Sequence, residues 1–189
     1  MVELFVFRTG AVKTKENVFL GWLNKPLNDN GVSEAKKVAR KLARKKITYA
    51  FCSDQVRGKQ ALLEVMQHHK RAEIIIDPRL RERHYGIFSG HSKELFKDLF
   101  PKTFNAIKWK YQAKVPRGEN MAVVSRRVFA FMNDLMKFMR EENANVIICA
   151  HTNSMKLIRE YLEELEQDEV SELVSSPDEY KEYTIFFEY

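Results

Sequence analysis

Apolar and polar positions along this chain alternate between two periods, and the changes of period mark out its elements. Val2-Glu3-Leu4-Phe5-Val6-Phe7 is a near-continuous apolar run, the pattern of a strand covered on both faces. Tyr49-Ala50-Phe51-Cys52, Glu73-Ile74-Ile75-Ile76-Asp77 and Val146–Ala150 repeat it at shorter length, and Tyr183–Glu188 predicts a closing strand. Between these runs the period lengthens. Asn28, in a turn-rich stretch over 24–30, suits the N-cap of a helix over about 29–46 whose inner face is Ala35, Val38, Ala39 and Leu42. Further helices are predicted from about Val56 to His69, from Asn120 to Glu142 and over 153–165. In the longest, Met121, Val124, Val128, Phe131, Leu135 and Met139 recur at three- and four-residue steps. Residues 92–112 predict two short helices rich in aromatics (Phe96, Phe100, Phe104, Trp109, Tyr111), read as an insertion or lid beside the sheet. Strands alternating with amphipathic helices imply a three-layer α/β/α sandwich with a mostly parallel sheet. No repeat or linker divides the chain, so one domain is expected over 1–189, with a helical insertion at about 88–117.

Composition narrows the partners more than the fold. At 189 residues, 44% hydrophobic and 31% charged, the chain has the makeup of an ordinary globular protein. It has no apolar run long enough to span a membrane and no signal-peptide pattern, so a cytoplasmic protein without membrane contact is expected. Cys52 and Cys149 each end an apolar run, as small buried hydrophobes do. His68 and His69 are adjacent on a predicted helix and read as a solvated pair. No His/Cys cluster has metal-ligand spacing, so no metal site is expected. Much of the net charge of +6 lies in Lys36, Lys37, Arg40, Lys41, Arg44, Lys45 and Lys46 along one helix. No aromatics interleave with them to stack on bases, so a solvated helix face is favoured over a nucleic-acid site. The stretch from Glu160 to Glu188 is acidic. The sequence leaves the oligomeric state open, a homodimer among the options.

The candidate chemistry falls at strand ends. Arg8-Thr9-Gly10 follows the first strand, Ser53-Asp54 and Arg57 the second, Arg81-Glu82-Arg83 the third, and His151-Thr152-Asn153 the fourth buried run. In a doubly wound sheet, ligands bind beyond the carboxyl ends of the strands, where helix N-termini favour anions. Arg8 and Arg57 can present guanidinium forks to phosphate oxygens. His151 can donate to a phosphoryl oxygen. Glu82 can protonate a leaving oxygen if its surroundings raise its pKa, which Arg81 and Arg83 would oppose unless they point elsewhere.

Taken in order, these segments resemble the histidine phosphatase superfamily, in its phosphoglycerate mutase-like branch. Phe7-Arg8-Thr9-Gly10 lies where that family has its R-H-G loop. Gly21-Trp22 with Pro26-Leu27, Cys52-Ser53-Asp54 with Arg57, Arg79-Leu80-Arg81-Glu82-Arg83-His84-Tyr85-Gly86, Gly118-Glu119-Asn120 and Ala150-His151-Thr152-Asn153-Ser154 follow its remaining motifs. The resemblance implies a phosphoglycerate mutase-like fold, a phosphohistidine mechanism without metal or cofactor, and a phosphate or phosphorylated small molecule as ligand. It implies catalytic positions at Arg8, Thr9, Arg57, Glu82 and His151. Gly21, Arg83, Tyr85, Lys93 and Asn153 fall at its substrate-lining positions.

The departures from that pattern matter as much. Thr9 stands at the nucleophile position, Ala11-Val12 replace a polar pair, and Thr152 replaces a glycine. A hydroxyl is a poor nucleophile without a base, and a threonine phosphate ester is far more stable than a phosphoramidate, so turnover is expected to stall. Gly10 is expected to leave room for backbone approach to phosphate. Three readings follow. The first is a ligand-binding member with weakened or lost phosphoryl transfer. The second is an active phosphatase or mutase whose nucleophile was substituted by engineering, which explains Thr9 but not Ala11, Val12 or Thr152. The third is an interaction protein with a vestigial pocket.

Overall fold

The computed structural model describes residues 1–187, Trp109 by its backbone alone. The strands are β1 (Val2–Arg8), β2 (Tyr49–Cys52), β3 (Glu73–Ile76), β4 (Val146–Ala150) and β5 (Tyr180–Ile185). The helices are α1 (Asp29–Leu42), α2 (Val56–Met66), α3 (Lys93–Leu99), α4 (Pro101–Trp109), α5 (Met121–Glu142), α6 (Thr152–Glu163) and α7 (Gln167–Glu172). One sheet has the order β3-β2-β4-β1-β5, parallel except for β5, which runs antiparallel to β1. The three-layer sandwich is therefore present, with one antiparallel edge.

Alternation along the strands divides the core in two. Leu4, Val6, Val146 and Ile148 face α5 and α6, while Phe5, Phe7, Ala50, Ile147 and Cys149 face α1 and α2. Both cysteines are buried, and burial pushes the Cys52 thiol up to about 12 and the Cys149 thiol upward as well. They behave as small apolar residues.

Asn28 caps α1 as expected, its side chain accepting from Gly31 N–H at 2.9 Å. The helix stops at Leu42 rather than 46, because its apolar stripe ends there and the chain must turn to bury Ile47. Lys37 and Lys41 of α1, and Lys45 just beyond it, pair with Asp178, Glu179 and Glu182, so the basic face and the acidic C-terminal stretch partly neutralise each other. The reading of His68 and His69 as a solvated pair needs correction. The α2 helix ends at Met66 in tighter turns, and His69 is turned inward against Leu42, while His68 stays exposed. The closing strand also lies earlier than expected. Pairing with the full length of β1 selects 180–185, leaving the apolar Phe186 exposed, and Glu188 lies outside the described residues. Among the described residues, no helix is long and apolar enough to cross a membrane.

Candidate active site

From adjacent carboxyl ends the chain leaves in opposite directions, β1 into α1 on one face and β4 into α6 on the other. That arrangement opens a crevice at the switch point, where ligands of open α/β sheets bind. Thr9 and His151 stand on its two sides. Thr9 N–H donates to Ala150 O at 2.9 Å, and its Oγ1 lies 3.3 Å from His151 Nδ1. His151 Nε2 lies 2.7 Å from Ser53 Oγ, which also accepts from Gln55 N–H at 3.3 Å. His151 begins α6, its N–H donating to Ser154 Oγ at 2.8 Å. The ring is fully buried and does not line the cavity. It was expected to reach a phosphoryl oxygen directly. Instead its Nδ1 contacts Thr9, which does line the cavity. Burial, reinforced by the nearby cations Arg57 and Arg127, holds its pKa well below the ordinary range, which favours the neutral imidazole.

Arg57, in the first turn of α2, is fixed from behind. Its Nη1 and Nη2 donate to Leu23 O and Gly21 O at 2.9 and 2.8 Å. Gly21 has φ +48°, and an added Cβ there would meet Arg83 O at 2.9 Å, so glycine is required for this turn. Arg8 donates through Nε to Ser175 O at 2.5 Å and through Nη1 to Thr9 O at 3.1 Å. Gly10, which lines the cavity, also serves a packing purpose. A Cβ there would lie 2.8 Å from Gly31 Cα and against the Glu34 carboxylate, so the glycine lets the loop pack on α1. In the same loop Ala11 N–H donates to Glu34 Oε2 at 2.9 Å.

Glu82 is the acceptor hub of the opposite wall. It receives Arg83 N–H at 2.8 Å, Asn153 N–H at 3.1 Å and Asn153 Nδ2 at 2.9 Å, and Asn153 Nδ2 also donates to the Tyr85 hydroxyl at 3.1 Å. Its neighbours do point elsewhere. Arg81 pairs with Asp54, and Arg83 donates to Glu119 O and Ile107 O while lying over the Tyr85 ring. Arg83 Nη2 is buried with no hydrogen-bond partner among the described residues.

These groups surround a cavity of 610 Å³ lined by Arg8, Thr9, Gly21, Arg57, Glu82, Arg83, Tyr85, Lys93 and Asn153, with Phe19, Phe104 and Thr152 among the other walls. Apart from the buried His151, every site residue expected from the sequence lines it. Lys108 and Lys156 join them, giving six cations against two carboxylates, Glu16 and Glu82. Burial lowers the pKa of Arg8, Arg57, Arg83, Lys93 and Lys156, so water is partly stripped from positive groups that a bound anion would compensate.

Several supporting residues were not foreseen. Gln55 bridges two walls, donating to Gly21 O and accepting from Glu82 N–H, each at 2.9 Å. Arg127 reaches from α5 to the carbonyls of Arg79, Arg81 and Glu82 and pairs with Glu119, fixing the segment that carries Glu82. A signal existed for Arg127, a charge three residues beyond Val124 beside the apolar stripe. Lys156 lies one turn beyond Asn153, on the same side of α6. Gln55 had no comparable signal.

The model of the histidine phosphatase superfamily (branch 1) matches residues 4–182, nearly the whole chain. The chain belongs to this superfamily. Among its curated relatives is a 2,3-bisphosphoglycerate-dependent phosphoglycerate mutase of Methanococcus vannielii, 29% identical over 203 residues, covering 92% of this chain and 86% of that protein. A namesake from Pseudoalteromonas atlantica is 25% identical over 194 residues, covering 87% and 86%. The α-ribazole phosphatase of Shigella flexneri has the same fold, with a TM-score of 0.85 at 18% identity, covering 98% of this chain and 91% of that one. A mycobacterial glucosyl-3-phosphoglycerate phosphatase, solved with inorganic phosphate, superposes with a TM-score of 0.82 at 19% identity, covering 96% and 89%.

Proposed function

We propose that the cavity binds a phosphorylated small molecule through its phosphoryl group, and that multiple-turnover phosphoryl transfer is weakened or lost because position 9 carries threonine. The observation that carries this reading is the excess of six cations over two carboxylates around one cavity, with Arg8 and Arg57 both held by backbone carbonyls in its wall. Such forks suit the two-pronged geometry of phosphate oxygens, and a preformed positive site has nothing to reorganise when the anion arrives. The names of the relatives, a phosphoglycerate mutase, an α-ribazole phosphatase and a glucosyl-3-phosphoglycerate phosphatase, agree with a phosphomonoester as ligand. On this reading residues 1–189 act as one domain, with 88–117 as the lid over the ligand, in a cytoplasmic setting. Calorimetric titration with inorganic phosphate tests it. Saturable binding that weakens with added salt is expected, and no binding would refute it.

A further inference from the structure

We propose that Thr9 itself accepts a phosphoryl group from a bound ligand and keeps it, making the chain a single-turnover phosphoryl acceptor. The inference rests on the phosphate-binding reading above and adds a covalent step to it. A nucleophile, a base within hydrogen-bond reach and a third group orienting the base form the arrangement by which hydroxyls are activated. Here the hydroxyl is Thr9 Oγ1, the base is His151 Nδ1 at 3.3 Å, and the orienting group is Ser53 Oγ at 2.7 Å from Nε2. Thr9 faces the cavity and His151 does not, so His151 has this hydroxyl to act upon rather than the ligand. With Nε2–H donating to Ser53, Nδ1 offers its lone pair to Thr9.

The step balances simply. Thr9 Oγ1 attacks phosphorus and its proton passes to His151 Nδ1. The donor's P–O bond breaks with its electron pair going to the leaving oxygen. That oxygen takes a proton from water if it needs one, and His151 returns its own to solvent. Transfer of a phosphoryl group passes through a loose state that asks little of the nucleophile and much of the surrounding charge. Arg8 and Arg57 supply that charge, and a bound dianion favours the imidazolium that forms. The product is a threonine ester, whose alkoxide leaves far less readily than an imidazole nitrogen. The phosphoryl group therefore stays.

The test mixes the full chain with p-nitrophenyl phosphate and follows nitrophenolate release and intact mass, beside a calorimetric titration with inorganic phosphate. The expected result is a burst of one equivalent without turnover. The Thr9 peptide gains one phosphoryl group that survives acid and is eliminated in strong base. Thr9→Val should bind phosphate and gain nothing, and His151→Gln should slow the burst by about a hundredfold. Phosphate binding without an adduct, or an adduct that persists in Thr9→Val, overturns the proposal and leaves the binding site standing. Absence of both binding and adduct overturns the two together.

Discussion

Arg57→Ala removes a guanidinium that is 2% exposed and holds two backbone carbonyls, Leu23 O and Gly21 O. Neither carbonyl is orphaned by the change, since Gly21 O keeps Gln55 Nε2 at 2.9 Å and Leu23 O keeps Lys25 N–H at 3.0 Å. The loss of stability should therefore stay at about 1–3 kcal/mol, which a domain with a typical reserve of about 5–15 kcal/mol survives. Ligand binding should suffer more selectively. A charge-assisted hydrogen bond to phosphate contributes about 1.5–3 kcal/mol, and each 1.4 kcal/mol or so is a factor of ten in Kd. A weakening of at least about tenfold follows. Arg57→Lys should recover only part of it, because one ammonium cannot hold both carbonyls and a phosphate edge together. The assay is calorimetric titration with inorganic phosphate, with circular dichroism to confirm that each variant is folded. A folded Arg57→Ala chain that binds phosphate with unchanged Kd would refute the assignment of this cavity.

Hydrolysis of simple phosphate esters by the unaltered chain should lie near background. A steady rate on the order of 10 per second, typical of enzymes, would show that another group completes the cycle. Thr9→His should restore part of the turnover and form an acid-labile, base-stable phosphoenzyme, detected by mass spectrometry after quenching in base. Recovery is expected to be partial because Ala11 and Val12 add no polar side chain to orient the ring. Stability should fall as pH drops below about 6.5, the ordinary histidine value. There the unfolded chain takes up a proton that buried His151 refuses, and His69, also lowered by burial, adds to the effect. Denaturant midpoints measured down the acid range should show the decline, and His151→Gln should flatten part of it.

Most of the fold and the ring of site residues could be read from the chain because both depend on local pattern. Strand runs such as 146–150 are apolar throughout because helices cover both faces, and the polar residues after them fall at strand ends by position alone. The sequence was less informative where tertiary pairing decides. Lysines suit a helix through 46, but burial of Ile47 ends α1 at Leu42. The apolar triplet Ile185-Phe186-Phe187 suggests the centre of a closing strand, yet the register against β1 leaves Phe186 in solvent. Gln55 could not have been found at all, because its two partners lie 34 residues before it and 27 after.

Thr9 has one meaning as a position in the sequence and another in the fold. As a letter in a motif it is only a missing imidazole, and a hydroxyl alone has no means of losing its proton. Placed at the switch point, it lies within hydrogen-bond reach of the buried His151 imidazole, whose other nitrogen is engaged by Ser53. Arg8 and Arg57 line the same cavity as Thr9. On the proposed reading, the cations that would stabilise a transferred phosphoryl group remain, and a nucleophile that releases that group is exchanged for one that retains it. Thr9→Ser tests this against a merely steric role for the threonine methyl. If the hydroxyl and His151 are what matter, serine should accept a phosphoryl group from p-nitrophenyl phosphate at least as readily as threonine. A folded, phosphate-binding Thr9→Ser chain that forms no adduct would show that the contact with His151 is structural.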